Sequence, residues 1–201
     1  KAGIAAPLLA WLTPPGADFE GAIKSDIDLS VSSLQQLQEI YAASLRVGLI
    51  ARVHLKVDTG MSRAGALDEF PEIVSELNRL TAANEIELVG TWSHFACADE
   101  PAHPLNAEQI KRFNSALEYM NDEGLNPGIR HIANSSAIIG LPEAIFDLVR
   151  AGLLIYGLSP TNIPPKNLSL KPAMELRARL LLVKEIPPGA TVGYGATVQV
   201  T

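Results

Sequence analysis

Short apolar runs alternate with stretches of helical period along most of this 201-residue chain, and that alternation restricts the fold more than any other feature. Residues 6–12, 28–31, 52–57, 87–92, 129–132 and 148–150 have the length and pattern of buried or half-buried strands, six in all. Between them, Leu34, Leu37, Ile40, Tyr41 and Leu45 fall on one helical face, with Ser32 or Ser33 placed to cap it and Gly48 to stop it. Phe70, Ile73, Val74, Leu77 and Leu80 repeat the stripe. A third stripe comprises Ile110, Phe113, Leu117 and Met120, opened by Asn106 and Gln109 in the manner of a capping box and closed by Gly124. Strict strand–helix order predicts a parallel sheet covered by helices, an α/β architecture.

No G-x-G-x-x-G follows any of these strands, which removes the usual signature of a doubly wound dinucleotide fold and favours a (β/α)8 TIM-type barrel. The barrel is expected to be incomplete, because Lys1-Ala2-Gly3 reads as the last turn and stop of an earlier helix. After Pro172 the grammar changes. Residues 174–186 alternate as a long strand, Pro187-Pro188-Gly189 turns, and residues 191–200 make a second strand. The expected organisation is a barrel portion over 1–160, a linker over 161–172, rich in Pro and Asn, and the beginning of a β domain over 173–201.

Composition narrows the partners. A net charge of -6 with scattered Lys and Arg argues against a nucleic-acid binder, and no apolar run is long enough to cross a bilayer. One cysteine, Cys97, cannot form an internal disulfide, so a reducing cytoplasm is expected; its nearness to His94 is a weak hint of a nucleophile.

Polar residues collect where the strands end. The run Lys56-Val57-Asp58-Thr59-Gly60-Met61-Ser62-Arg63-Ala64-Gly65 carries an alternating strand into a glycine-hinged turn bearing Lys, Asp and Arg. His94 follows Trp92-Ser93, His131 leads into Ala133-Asn134-Ser135, Arg150 precedes Ala151-Gly152-Leu153, and Tyr194 stands between Gly193 and Gly195. Singly, each has a plain structural reading: a core histidine, a surface ion pair, a helix cap or a turn tyrosine. Together, and in this order, they resemble the alanine racemases along essentially the whole chain.

The resemblance implies a pyridoxal 5'-phosphate enzyme with an N-terminal barrel and a C-terminal β domain, working as a homodimer with shared active sites on alanine and supplying D-alanine for peptidoglycan. Arg150 matches the arginine at the cofactor's pyridine nitrogen, where a guanidinium donates and leaves that nitrogen unprotonated, which weakens the ring as an electron sink and favours racemisation over transamination. Ser135, Gly152 and Leu153 match the phosphate-binding positions, and His131 matches a histidine that buttresses the arginine. Tyr194 matches the catalytic tyrosine lent by the partner subunit. A free phenol holds its proton at neutral pH, so such a base needs nearby donors or positive charge; His94 matches the residue that contacts it. Arg63 matches the arginine that reaches the cofactor's phenolic oxygen and the substrate carboxylate, and Lys56 a lysine that some members carry as a carbamate. No metal site is expected.

The chain departs from the family pattern at one motif. The lysine that bonds the cofactor sits in a Lys-x-x-(Ala/Gly)-Tyr-Gly-His-Gly setting, and no lysine here has those neighbours. The sequence therefore resembles an internal segment, from about the third barrel strand into the β domain, expected to be inactive by itself. A racemase of serine and a non-catalytic phosphate-binding barrel are the alternative readings. An amino acid decarboxylase is disfavoured because those enzymes place a carboxylate where Arg150 stands.

Overall fold

The computed structural model describes residues 3–14, 16–161 and 168–201. By its internal contacts the chain divides into two compact units, Lys1–Lys171 and Pro172–Thr201. The first contains β1 (Leu8–Ala10), α1 (Phe19–Lys24), β2 (Ile27–Val31), α2 (Leu34–Val47), β3 (Ala51–Lys56), α3 (Phe70–Ala82), β4 (Ile86–Trp92), α4 (Pro104–Asp122), β5 (Ile129–His131) and α5 (Ser135–Gly140). All five strands pair in parallel and in chain order, forming a curled sheet that is an incomplete TIM-type barrel.

The helices form where period and capping agree. The Ser33 hydroxyl accepts the Gln36 N–H to open α2, and Gly48 ends it at φ +68°, the left-handed conformation glycine adopts without strain. At α4 the start lies earlier than the capping-box reading. His103 caps it and Pro104 occupies the first turn, while Asn106 is buried inside and donates to the carbonyls of Cys97 and Glu100. Its amide thus ties down the preceding loop instead of the helix end. The short α1, with only Phe19 and Ile23 buried, is too brief to show a period in the sequence and was not anticipated.

Alternation along the strands sorts side chains to two faces. Leu29, Val31, Val53 and Leu55 pack outward against Leu37, Ile40, Ile73, Val74, Leu77 and Leu80 of the helices. The alternate positions turn Asp28, Ser30, His54 and Lys56 inward, all buried, to meet Trp92 and His131. A second apolar cluster around Phe113, Leu117, Ile132 and Ala137 seats α4 and α5 behind β5.

Two expected strands do not form. Residues 148–150 make only an isolated bridge between Arg150 and Asn134. The Asp147 carboxylate takes the Arg130 backbone N–H and its guanidinium, so the segment is fastened to β5 largely by a side chain; the Asp147 and Leu148 N–H groups share the Arg130 carbonyl, and Arg150 donates to Ala133 beyond the strand. In the second unit, residues 174–186 hold no strand, and 191–200 is not one strand but a small antiparallel hairpin, β6 (Thr191–Val192) with β7 (Val198–Gln199). Gly193 and Gly195, both at positive φ, break the run between them. The reading of Lys1-Ala2-Gly3 as a helix end and the middle of the expected linker, 162–167, lie outside the described residues.

The β3–β4 register shifts between Val53 and His54, which sets Gly90 opposite His54. A Cβ at Gly90 would lie 2.5 Å from the Ile129 carbonyl oxygen and 2.8 Å from His54 Nδ1. Gly90→Ala is therefore expected to destabilise the full-length protein by about 1–3 kcal/mol, the usual scale of overpacking. A urea midpoint that does not move would show that the strands separate freely.

Candidate functional site

Arg150 is the hub of the inward face. Its backbone N–H donates to the Ala133 carbonyl, which sets the residue beside the end of β5. Its Nη1 donates to His131 Nδ1 at 2.7 Å and to the His131 carbonyl at 3.0 Å. Nη2 donates to the carbonyls of Ser93 at 2.6 Å and Ile132 at 3.3 Å, and to His94 Nδ1 at 3.1 Å. The guanidinium lies 4.7 Å from the centre of the Trp92 ring and 5.8 Å from that of Trp11. Its Nε is buried and has no hydrogen-bond partner among the described residues. Among the described residues no carboxylate pairs with it. Burial lowers Arg150 to about 10, which leaves it charged at neutral pH.

The two histidines around it are held neutral. Burial first, and the Arg150 charge second, push His131 down to about 3 and His94 to about 4; Arg63 and Lys56 add to the push on His94. Since a guanidinium only donates, both histidines accept through Nδ1 and carry their proton on Nε2.

Lys56 ends β3 with its Nζ buried, 4.6 Å from the Trp92 ring centre and without a hydrogen-bond partner. Burial and the charges of Arg63 and Arg150 lower its pKa, against a smaller opposing pull from Asp58. The turn that follows is fixed from within. Asp58 Oδ1 accepts the N–H groups of Gly60, Met61 and Ser62, and the chain returns to bond Ala66 N–H to the Lys56 carbonyl. Gly65, at φ +125°, passes so close that a Cβ would sit 2.7 Å from the Asp58 nitrogen. Arg63 rides exposed on this turn.

Beyond β5, Asn134 caps α5 and Ser135 is buried behind it. Ser135 Oγ accepts the N–H groups of Gly152 at 2.8 Å and Leu154 at 3.4 Å. Leu153 opens the single helical turn Leu153–Tyr156 directly after this contact. Trp11, His54, His131, Arg150 and Gly152 line a cavity of ≈ 450 Å³ along the inward face. Eight of the nine residues singled out from the sequence thus lie at or just beyond the ends of β3, β4 and β5, or on the segment bridged to Asn134 through Arg150. The ninth, Tyr194, belongs to the second unit, exposed on the helical turn Tyr194–Ala196 between β6 and β7. Among the described residues no cluster of His, Cys, Asp and Glu could hold a metal ion, and the Cys97 carbonyl serves Asn106.

Sequence reading missed Asp28, His54, Trp11 and Trp92. His54 Nδ1 lies 3.0 Å from His131 Nε2, and His54 Nε2 lies 3.2 Å from Asp28 Oδ2. Alternation shows which face of β2 and β3 is polar, but that this face is buried and that Asp28 and His54 meet follows only from strand pairing.

A curled parallel sheet with its polar groups gathered at the carboxyl ends of the strands defines the class as a TIM-type α/β barrel. The particular family follows from comparison with known proteins. The family model "Alanine racemase, N-terminal domain" matches residues 1–160, and the chain belongs to that family. It is 46% identical over 198 residues to the alanine racemase of Salinispora tropica, covering 98% of this chain and 53% of that protein. With the Frankia casuarinae alanine racemase it shares 47% identity over 196 residues, 96% of this chain and 51% of that one. The crystal structure of alanine racemase from D-cycloserine producing Streptomyces lavendulae superposes with a TM-score of 0.93 at 45% identity, covering 99% of this chain and 53% of that one. The chain spans about half the length of the curated relatives it matches.

Neutral burial of His131 has a signed consequence. The unfolded chain takes up a proton on this residue below about pH 6.5, whereas the folded chain does so only near 3. The stability it contributes is complete above about pH 6.5 and is lost as pH falls through that window. His131→Asn should reduce the pH slope of stability between pH 6.5 and 4 by up to about 1.4 kcal/mol per pH unit. The check is the thermal midpoint across that range; an unchanged slope would mean that His131 titrates freely in the folded protein.

Proposed function

We propose that this chain forms the cofactor-binding part of a pyridoxal 5'-phosphate-dependent alanine racemase that interconverts L-alanine and D-alanine. One observation carries the reading: the buried Arg150 Nε, a charged donor with no acceptor, on the inward face of a chain from this family. A pyridine nitrogen supplies the acceptor that Nε lacks, and a guanidinium charged at neutral pH keeps such a nitrogen unprotonated. Ser135 supports the phosphate end, with a hydroxyl that accepts two N–H groups and keeps its own hydrogen free to donate. When bound, pyridoxal phosphate supplies the electrophile that acidifies the α-hydrogen of alanine.

The other residues take roles on this chain's own chemistry. Gly152 and Leu153 complete the phosphate cradle, and His131 orients Arg150. Arg63 offers a planar fork to the substrate carboxylate. Lys56, depressed by burial and lacking a partner, is the position for a carbamate that would hold Arg63. Tyr194 moves the α-proton on one face of the substrate, with His94 as its neighbour. We assign it to the site of a partner subunit in a homodimer, with no nucleic-acid or membrane partner. Residues 173–201 would begin the β domain that carries it. The enzyme would act in the cytoplasm, and the D-alanine formed would supply peptidoglycan. No lysine of this chain has the setting of the cofactor-bonding lysine, so residues 1–201 taken alone are proposed to be inactive.

The full-length protein, loaded with pyridoxal phosphate and given L-alanine, is expected to approach an equal mixture of enantiomers. Tyr194→Phe should slow solvent-deuterium exchange at Cα from one enantiomer by about 10²–10⁴-fold, the range for loss of a general base, and leave the other enantiomer much less affected. Unchanged exchange from both would remove Tyr194 from the site.

A further inference from the structure

The inward face contains a hydrogen-bonded chain that continues past His131 to groups without an assigned role. Arg150 Nη1 lies 2.7 Å from His131 Nδ1, His131 Nε2 lies 3.0 Å from His54 Nδ1, and His54 Nε2 lies 3.2 Å from Asp28 Oδ2. The other carboxylate oxygen, Asp28 Oδ1, accepts Arg52 Nε at 2.7 Å. The ends of this chain have fixed characters, because a guanidinium can only donate and an ionised carboxylate can only accept. Only one proton arrangement satisfies every link: each histidine neutral, with its proton on Nε2. If either histidine took the other tautomer or a second proton, two donors would face each other at a buried contact, where an unmatched polar group is destabilising.

The backbone is shaped around this chain. The register shift between Val53 and His54 and the missing side chain at Gly90 leave room for the His54 ring, which meets His131 edge to face. Arg52 balances the Asp28 charge at the far end. Arg150 therefore meets only neutral acceptors and keeps an uncompensated positive charge.

We propose that Asp28 and His54 are positioning residues: acting through His131, they fix the tautomer that meets Arg150 and so hold its guanidinium oriented and fully charged toward the ring nitrogen of the cofactor. This rests on the function proposed above and extends it to two further residues.

Asp28→Asn tests the idea in the full-length protein with pyridoxal phosphate bound. Arg52 Nε requires an acceptor, so the new amide turns its oxygen to Arg52 and its NH2 to His54. The proton on His54 then moves to Nδ1, and that on His131 to Nδ1, facing Arg150 donor to donor. Nitrogen-15 spectra of the histidine side chains should show His131 protonated on Nε2 in the parent protein and on Nδ1 in the variant. The kcat for racemisation should fall about tenfold or more, the scale on which removing an orienting partner acts, with KM for alanine little changed. Adding Arg52→Leu frees the amide to present its oxygen to His54, and is expected to restore the parent tautomer and most of kcat. A double variant no better than the single would overturn the proposal, and so would a parent spectrum with His131 protonated on Nδ1, which needs no variant to fold. A parent protein that neither binds pyridoxal phosphate nor racemises alanine would instead defeat the functional reading, and the histidine spectra would still decide the tautomers.

Discussion

A buried guanidinium without a carboxylate is the constraint around which this structure is organised. Taking Arg150 out of water is unfavourable unless its donors are met, and here three carbonyls and two neutral imidazoles meet all of them but one. That requirement explains why Ser93, His131 and Ile132 bring their carbonyls to one point, and why the two histidines remain uncharged. Two aromatic rings complete the shell. Trp92, fully buried and donating to Ser30 at 3.0 Å, stands close to both Arg150 and Lys56, so the two basic groups share one indole, with no acid paired to either among the described residues.

The sheet makes such an interior possible by dividing labour between its faces. Outward positions of β2 and β3 are aliphatic and supply the packing against α2 and α3, worth about 25 cal/mol for each Å² of apolar surface removed from water. Inward positions can be polar because the apolar packing lies on the opposite face and their donors and acceptors are matched to one another. Segments beyond the strand ends then add groups that the strands cannot offer: Arg63 on the turn after β3, Ser135 at the start of α5, and Gly152 further on.

The sequence exposed the outline of this arrangement more readily than its interior. Helices with a long stripe, such as α2 and α3, were legible because four or five apolar residues at regular spacing leave little choice. The Asn106 cap was misread since its amide bonds backward to loop carbonyls, a long-range use that looks the same in sequence as a local one. Residues 148–150 carry strand-like apolar side chains, yet a carboxylate clamp at Asp147 decides their pairing. In the second unit, paired glycines outweighed the alternation. Arg150, His131 and Ser135 were visible through their motifs, while Asp28 and His54 were not. Nothing local distinguishes a buried aspartate on a strand from an exposed one, and only the register of β2 on β3 brings the two together.

The turn between Asp58 and Gly65 has a wider consequence. Three amides closed on one carboxylate oxygen, with the returning backbone at Gly65 pressed against that of Val57 and Asp58, make this segment a stiff bracket and not a hinge. Whatever Arg63 grips is held at a reach set by the bracket, and a bulkier guest cannot be welcomed by letting the loop swing. Under the function proposed above, a variant meant to take larger amino acids would have to begin by loosening that bracket.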